Sequence, residues 1–158
     1  VCVAAGYNYR MTDIQAAIGI VQFRKLPEIL RLRARIAAVY EFAIGDMPEL
    51  HLPQWPEGST TNHQSFAVKI ADDGIDRDSI VEYMNKKGVG AAPGIQPIHW
   101  EPLYEGFASD DELPETVAAA MRSFFLPLYP AMTDAELEYV VKILGEAVAK
   151  SSRSKGGK

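Results

Sequence analysis

From Thr12 to Gly45 the sequence keeps a helical period almost without a break, and Pro27 stands near its middle. Thr12 followed by Gln15 forms a capping box, in which the threonine oxygen accepts from the third amide and the glutamine reaches back to the cap. Behind it Ile14, Ala17, Ile18, Val21 and Phe23 give an apolar stripe wide enough to be well buried. Proline fits the first turn of a helix, where its missing N–H costs nothing. The pattern therefore predicts two helices, TDIQAAIGIVQFRKL and PEILRLRARIAAVYEFAIG. In the second, Leu32, Ile36, Val39, Tyr40 and Ala43 recur at three- and four-residue spacing, with Arg31, Arg33 and Arg35 mostly opposite. Gly45 and Pro48 stop it.

Shorter elements follow. MPELHLPQWPEGSTTN, rich in proline and polar residues, reads as a long surface connection. The alternation in His63–Ala71 predicts a strand. Asp76 is placed to cap a helix ending at Gly88. VGAAPGIQPIHW reads as a second extended segment, and EPLYEGFASDDELP as a loop with one short turn of helix. ETVAAAMRS is helical and FFLPLYP extended. A second capping box, Thr133 with Glu136, opens a last helix that buries Leu137, Val140, Val141, Leu144 and Val148. This order predicts an α+β fold: a short, mostly antiparallel sheet with helices packed on it, preceded by a two-helix arm. The expected divisions are residues 1–48 for the arm, 49–150 for the small α+β domain, and 151–158 for a disordered tail.

The 158 residues are 47% hydrophobic and 23% charged, enough for one sizeable core. Net charge is −5, and the only basic cluster is Lys150–Lys158, so no basic face favours nucleic acid. The single cysteine, Cys2, leaves no intrachain disulfide and fits a reducing, cytoplasmic setting. No apolar run approaches the roughly 20 residues needed to span a bilayer. The opening VCVAAGYNYR reads like mid-chain sequence, as expected of a piece of a longer protein.

His51, His63 and His99 show no metal-ligand spacing, so no metal site is expected. His51 reads as an exposed loop residue. His99, in GIQPIHW between Pro97 and Trp100, is either a ligand contact presented on irregular backbone or a surface-loop histidine. The segment GYNYRM also has two readings. Free amides at a helix start, with Asn8 and Arg10 beside them, suit a phosphate or carboxylate. Alternatively Tyr7 and Tyr9 pack, Arg10 is solvated, and the segment only begins a helix. Gly6 belongs to neither a dinucleotide-binding nor a P-loop pattern, and no serine lies in a nucleophile-elbow context. Asp110, Asp111 and Glu112 read as a solvated acidic loop.

Three segments together carry a family resemblance: GYNYRMTDIQAAIGIVQFRKLPEILRLRARIAAVYEFAI, KKGVGAAPGIQPIHWEPLYE with its Pro-x-His, and LPLYPAMTDAELEYVVKIL. In that order, over about residues 5–148, they resemble the C-terminal portion of the DegT–StrS sugar aminotransferases, pyridoxal-phosphate enzymes of fold type I. The resemblance implies the small C-terminal domain of such an enzyme. The lysine that holds the cofactor and the carboxylate that pairs with its ring nitrogen are expected upstream, so these 158 residues contain no catalytic residue and are expected to be inactive alone. It further implies a homodimer with shared sites, Asn8 and then Arg10 reaching the partner's cofactor phosphate, and Tyr7, Gln96 and His99 near the substrate. The implied reaction moves an amino group from an amino acid, commonly glutamate, to a nucleotide-linked keto-sugar. The Gly-, Ala- and Pro-rich AAPGIQ departs from relatives that carry an aromatic near Gln96, which leaves the sugar open. A dehydratase of the same family, or a binding or dimerisation module, are the alternatives.

Overall fold

The computed structural model describes residues 6, 7, 9–71 and 74–153, and Asn8 lies outside them. Its helices are α1 (Asp13–Gly45), α2 (Arg77–Lys86), α3 (Pro114–Arg122) and α4 (Asp134–Arg153). Its strands are β1 (Leu50–His51), β2 (Phe66–Ile70), β3 (Ala92–Pro93) and β4 (Ser123–Leu126). They form one antiparallel sheet in the order β1-β2-β4-β3, so the fold is α+β as expected.

Strand pairing fixes which face is dry. Phe66 stands opposite Leu126, Val68 opposite Phe124, and Leu50 opposite Ile70, and all six are buried. Ala67, Lys69, Ser123 and Phe125 point to the other face, where none is fully buried. Against the dry face pack Ile36, Tyr40 and Ile44 of α1, Ile80 and Met84 of α2, and Leu137, Leu144 and Ala147 of α4. Complete burial of side chains such as Val68 and Phe124 contributes about 1.5–3 kcal/mol each.

The two expected N-terminal helices are one helix of 33 residues with Pro27 inside it. The residues before Pro27 are Phe23, Arg24, Lys25 and Leu26, so nothing there can cap a new helix start. Without a competing cap, one lost N–H bond is tolerated within a longer helix. The stripe Ile14, Ile18, Val21 and Phe23, expected to be buried, is 76%, 59%, 48% and 76% exposed. Full burial along α1 begins only at Ile36, about 35 Å along the axis from Asp13. Tyr40 then fastens the helix to the sheet, its hydroxyl donating to the Pro127 carbonyl at 2.7 Å. Arg35 forms an ion pair with Asp134 at the start of α4.

Three other expectations need correction. His63 does not begin β2: its φ is 46°, and the Gln64 amide bonds Asn62 Oδ1 at 3.0 Å, a side-chain turn that delays extension to Phe66. In VGAAPGIQPIHW only Ala92 and Pro93 pair with β4, because Pro97 has no N–H and the Trp100 amide turns back to its carbonyl at 3.1 Å. Residues 151–153, assigned to the tail, continue α4. The surface connection of residues 47–62 holds as an irregular stretch apart from β1, where exposed His51 pairs in register with Lys69.

Candidate functional site

Two parts of the chain carry the candidate residues. The first is the start of α1. Thr12 accepts from the Gln15 amide at 3.3 Å and receives the Gln15 side chain on its own amide at 2.9 Å, completing the expected capping box. Just before it, Tyr7 and Tyr9 meet edge to face at 6.0 Å between ring centres. Both rings and Arg10 are exposed. An arginine and two phenols at a helix N-terminus suit a phosphate group. The one acidic residue of that first turn is Asp13. The fit of a phosphate therefore rests on the donors rather than on a surplus of positive charge.

The second part is the segment from Ile95 to Leu113. Three short turns of 3₁₀ helix, at Ile98–Trp100, Pro102–Tyr104 and Asp110–Glu112, fold it back on itself. Residue 110 closes the loop. Asp110 Oδ1 lies 2.9 Å from His99 Nε2 and accepts from Trp100 Nε1 at 2.7 Å. These bonds, the indole's first and the imidazole's second, hold the Asp110 carboxyl below the usual carboxylate range. The His99 side chain is only 4% exposed. Ser109 and Glu112 make a further capping box around the last turn.

Where the start of this loop meets the sheet, the wet face forms the floor of a groove of about 640 Å3. Ala67 and Phe125 lie on its floor, Ile95, Gln96 and Ile98 form one wall, and Thr116 and Ala119 of α3 form the other. Gly94 seats the first wall. Its amide bonds the Ser123 carbonyl at 2.8 Å, and a Cβ there would stand 2.9 Å from Ser123 Cβ, too close to fit without movement.

Of the residues singled out in the sequence, Gln96 is exposed and lines this groove, whereas His99 turns inward to Asp110. Tyr7 and Arg10 stand at the far end of α1. Sequence reading passed over Asp110 as one of three solvated acids. The Ser109–Glu112 spacing was the available signal that this acidic stretch is a built turn. Among the described residues no group of His, Cys, Asp and Glu could hold a metal, and no helix is long and apolar enough to cross a membrane.

The profile of the DegT/DnrJ/EryC1/StrS aminotransferase family matches residues 2–145. The chain belongs to that family. Over 137 residues it is 34% identical to the dTDP-4-dehydro-2,3,6-trideoxy-D-glucose 4-aminotransferase of Saccharopolyspora spinosa, covering 86% of this chain and 34% of that protein. Its fold is similar to the aminotransferase TlmJ from Streptoalloteichus hindustanus, with 30% identity and a TM-score of 0.83 over 94% of this chain and 39% of that one. The protein Spr1654 from Streptococcus pneumoniae, described in its PMP form, shares the fold at a TM-score of 0.85 with 21% identity, over 94% of this chain and 38% of that one. The chain thus spans about a third of the length of the curated DegT/DnrJ/EryC1/StrS relative. The family resemblance drawn from the three sequence segments is borne out.

Proposed function

We propose that this chain is the C-terminal part of an enzyme that transfers an amino group from an amino acid, with glutamate the donor of choice, to a nucleotide-linked keto-sugar. One observation carries the reading: the 34% identity, over 86% of the chain, to a protein named as a sugar 4-aminotransferase. Pyridoxal phosphate, when bound, supplies the electron sink that carries the amine between donor and acceptor. Its covalent lysine belongs, in this reading, to the part of the protein outside these residues, and the 158-residue chain does not transaminate by itself.

The chain's own residues then divide into two tasks. Asn8 and Arg10, before α1, hold the cofactor phosphate of a partner subunit in a homodimer. Arg10 offers a planar pair of donors to two phosphate oxygens. Tyr7 stands on the substrate side of the same loop. Gln96 and His99 belong to the Ile95–Leu113 loop, which meets the sugar nucleotide. The Gln96 amide is exposed, and it both donates and accepts, as sugar hydroxyls require.

The test uses full-length protein with pyridoxal phosphate, L-glutamate and a nucleotide-linked 4-keto-sugar. Release of 2-oxoglutarate together with an aminated sugar is expected. The Arg10→Ala variant is expected to bind cofactor about 10-fold more weakly, the loss of a charge-assisted pair. Loss of water from the sugar without amine transfer would replace this reading with the dehydratase.

A further inference from the structure

We infer that Asp110 is a positioning residue for the sugar nucleotide: its carboxylate latches His99 and Trp100 and thereby sets the groove wall that carries Gln96. The inference rests on the functional reading above. Three observations carry it.

First, one oxygen serves two donors from consecutive residues. His99 Nε2 and Trp100 Nε1 converge on Asp110 Oδ1 at 2.9 and 2.7 Å, across ten or eleven positions of sequence. Second, the histidine inside the latch is buried to 4% exposure although the carboxylate is 61% exposed. A buried imidazole facing an aspartate is an anchor for the loop, reaching a ligand only through what it holds in place. Third, the latch joins the two walls of the groove. His99 and Trp100 follow directly on Ile95, Gln96 and Ile98, and Asp110 lies four residues before α3, which carries Thr116 and Ala119. The tie at Asp110 thus limits how far one wall can move from the other. Between these walls lie short 3₁₀ pieces and one further turn at Glu105 and Gly106, which store little rigidity of their own. A compact surface loop holds its shape through contacts among its own side chains, and the bonds to Asp110 are of that kind.

The test uses the full-length enzyme with Asp110→Ala, Asp110→Asn and, as a neighbouring control, Asp111→Ala. The Asp110→Ala variant is expected to raise KM for the keto-sugar about 10-fold or more, since a displaced contact group weakens sugar binding and orientation. The half-reaction with glutamate is expected to keep its rate. Asp110→Asn keeps an acceptor oxygen and is expected to fall between, and Asp111→Ala to match the parent protein. In 15N-labelled protein the Trp100 indole N–H resonance is expected to move toward the position of a solvent-exposed indole in Asp110→Ala.

An unmoved indole signal would overturn the latch. A moved signal with unchanged KM, in a protein that aminates the sugar, would overturn the positioning role. An equal fall in both half-reactions, with lowered thermal stability, would mark a merely structural residue and overturn it as well. If Asp110→Ala does not fold, the Asn variant decides by the same readouts. Absence of amine transfer in the parent protein would overturn the functional reading, while the indole signal still reports on the latch.

Discussion

Single residues decide how the arm is held to the sheet. The Tyr40 hydroxyl is buried and donates to Pro127, and burial, reinforced by Tyr129, pushes its ionisation upward. A raised phenol contributes stability that is fully present below its ordinary pKa of about 10 and is lost as pH rises above that value. Tyr40→Phe is therefore expected to cost about 1 kcal/mol at neutral pH. It should also flatten the fall in stability between roughly pH 9 and pH 11. Urea unfolding at a series of pH values checks both. Gly94 provides a second case. Its amide is bonded to Ser123, and an added methyl would press on that residue's backbone oxygen at 3.0 Å as well as its side chain. Gly94→Ala is expected to destabilise by about 1–3 kcal/mol, and trimming the Ser123 side chain should recover only part of this because the backbone contact remains. Equal stability of parent and variant in thermal unfolding would refute the close approach.

At the scale of elements, the long helix bears the clearest test. Pro27 sits inside α1, where it lacks an N–H and its ring crowds the preceding turn. Gly19 lies in the exposed half of the same helix, with nothing within 4 Å of an added methyl. Gly19→Ala is expected to raise helicity and stabilise by about 0.5–1 kcal/mol, and Pro27→Ala to do so by more. Circular dichroism at 222 nm follows both. If Pro27→Ala lowered helical content, α1 would be two helices after all. This element also shows how sequence and fold relate. The capping boxes at Thr12 and Thr133, the cap at Asp76 and the final amphipathic helix were legible, because each depends on neighbours within four residues. The continuity through Pro27 was not, because proline has the same φ at a helix start and in its interior, and only the absent cap tells them apart. The collapse of GIQPIHW into a turn was equally hidden. Its shape comes from Asp110 and Ser123, both distant in sequence. Of the candidate residues, Arg10 was named as a donor before a helix start and Gln96 only through the family resemblance, and both are exposed, while the tie at Asp110 depends on a fold-back between residues ten and eleven positions apart.

At the scale of the whole molecule, the first half of α1 stands clear of the core and exposes Ile14, Ile18 and Val21 along one face, with exposed Phe23 on the opposite side. Such a face favours association. The isolated chain is expected to self-associate in sedimentation experiments, and replacing Ile18 and Val21 with Glu and Lys should leave it monomeric without loss of core stability. A monomeric parent chain would count against that surface. The proposed amine transfer is itself open to a single isotope experiment. Full-length protein is incubated with pyridoxal phosphate, 15N-labelled glutamate and a nucleotide-linked 4-keto-sugar, and the sugar product is weighed by mass spectrometry. The label is expected to enter the sugar in step with release of 2-oxoglutarate, and the 158-residue chain alone is expected to transfer none. A sugar product that never carries the label, or transfer by the isolated chain, would contradict the proposal.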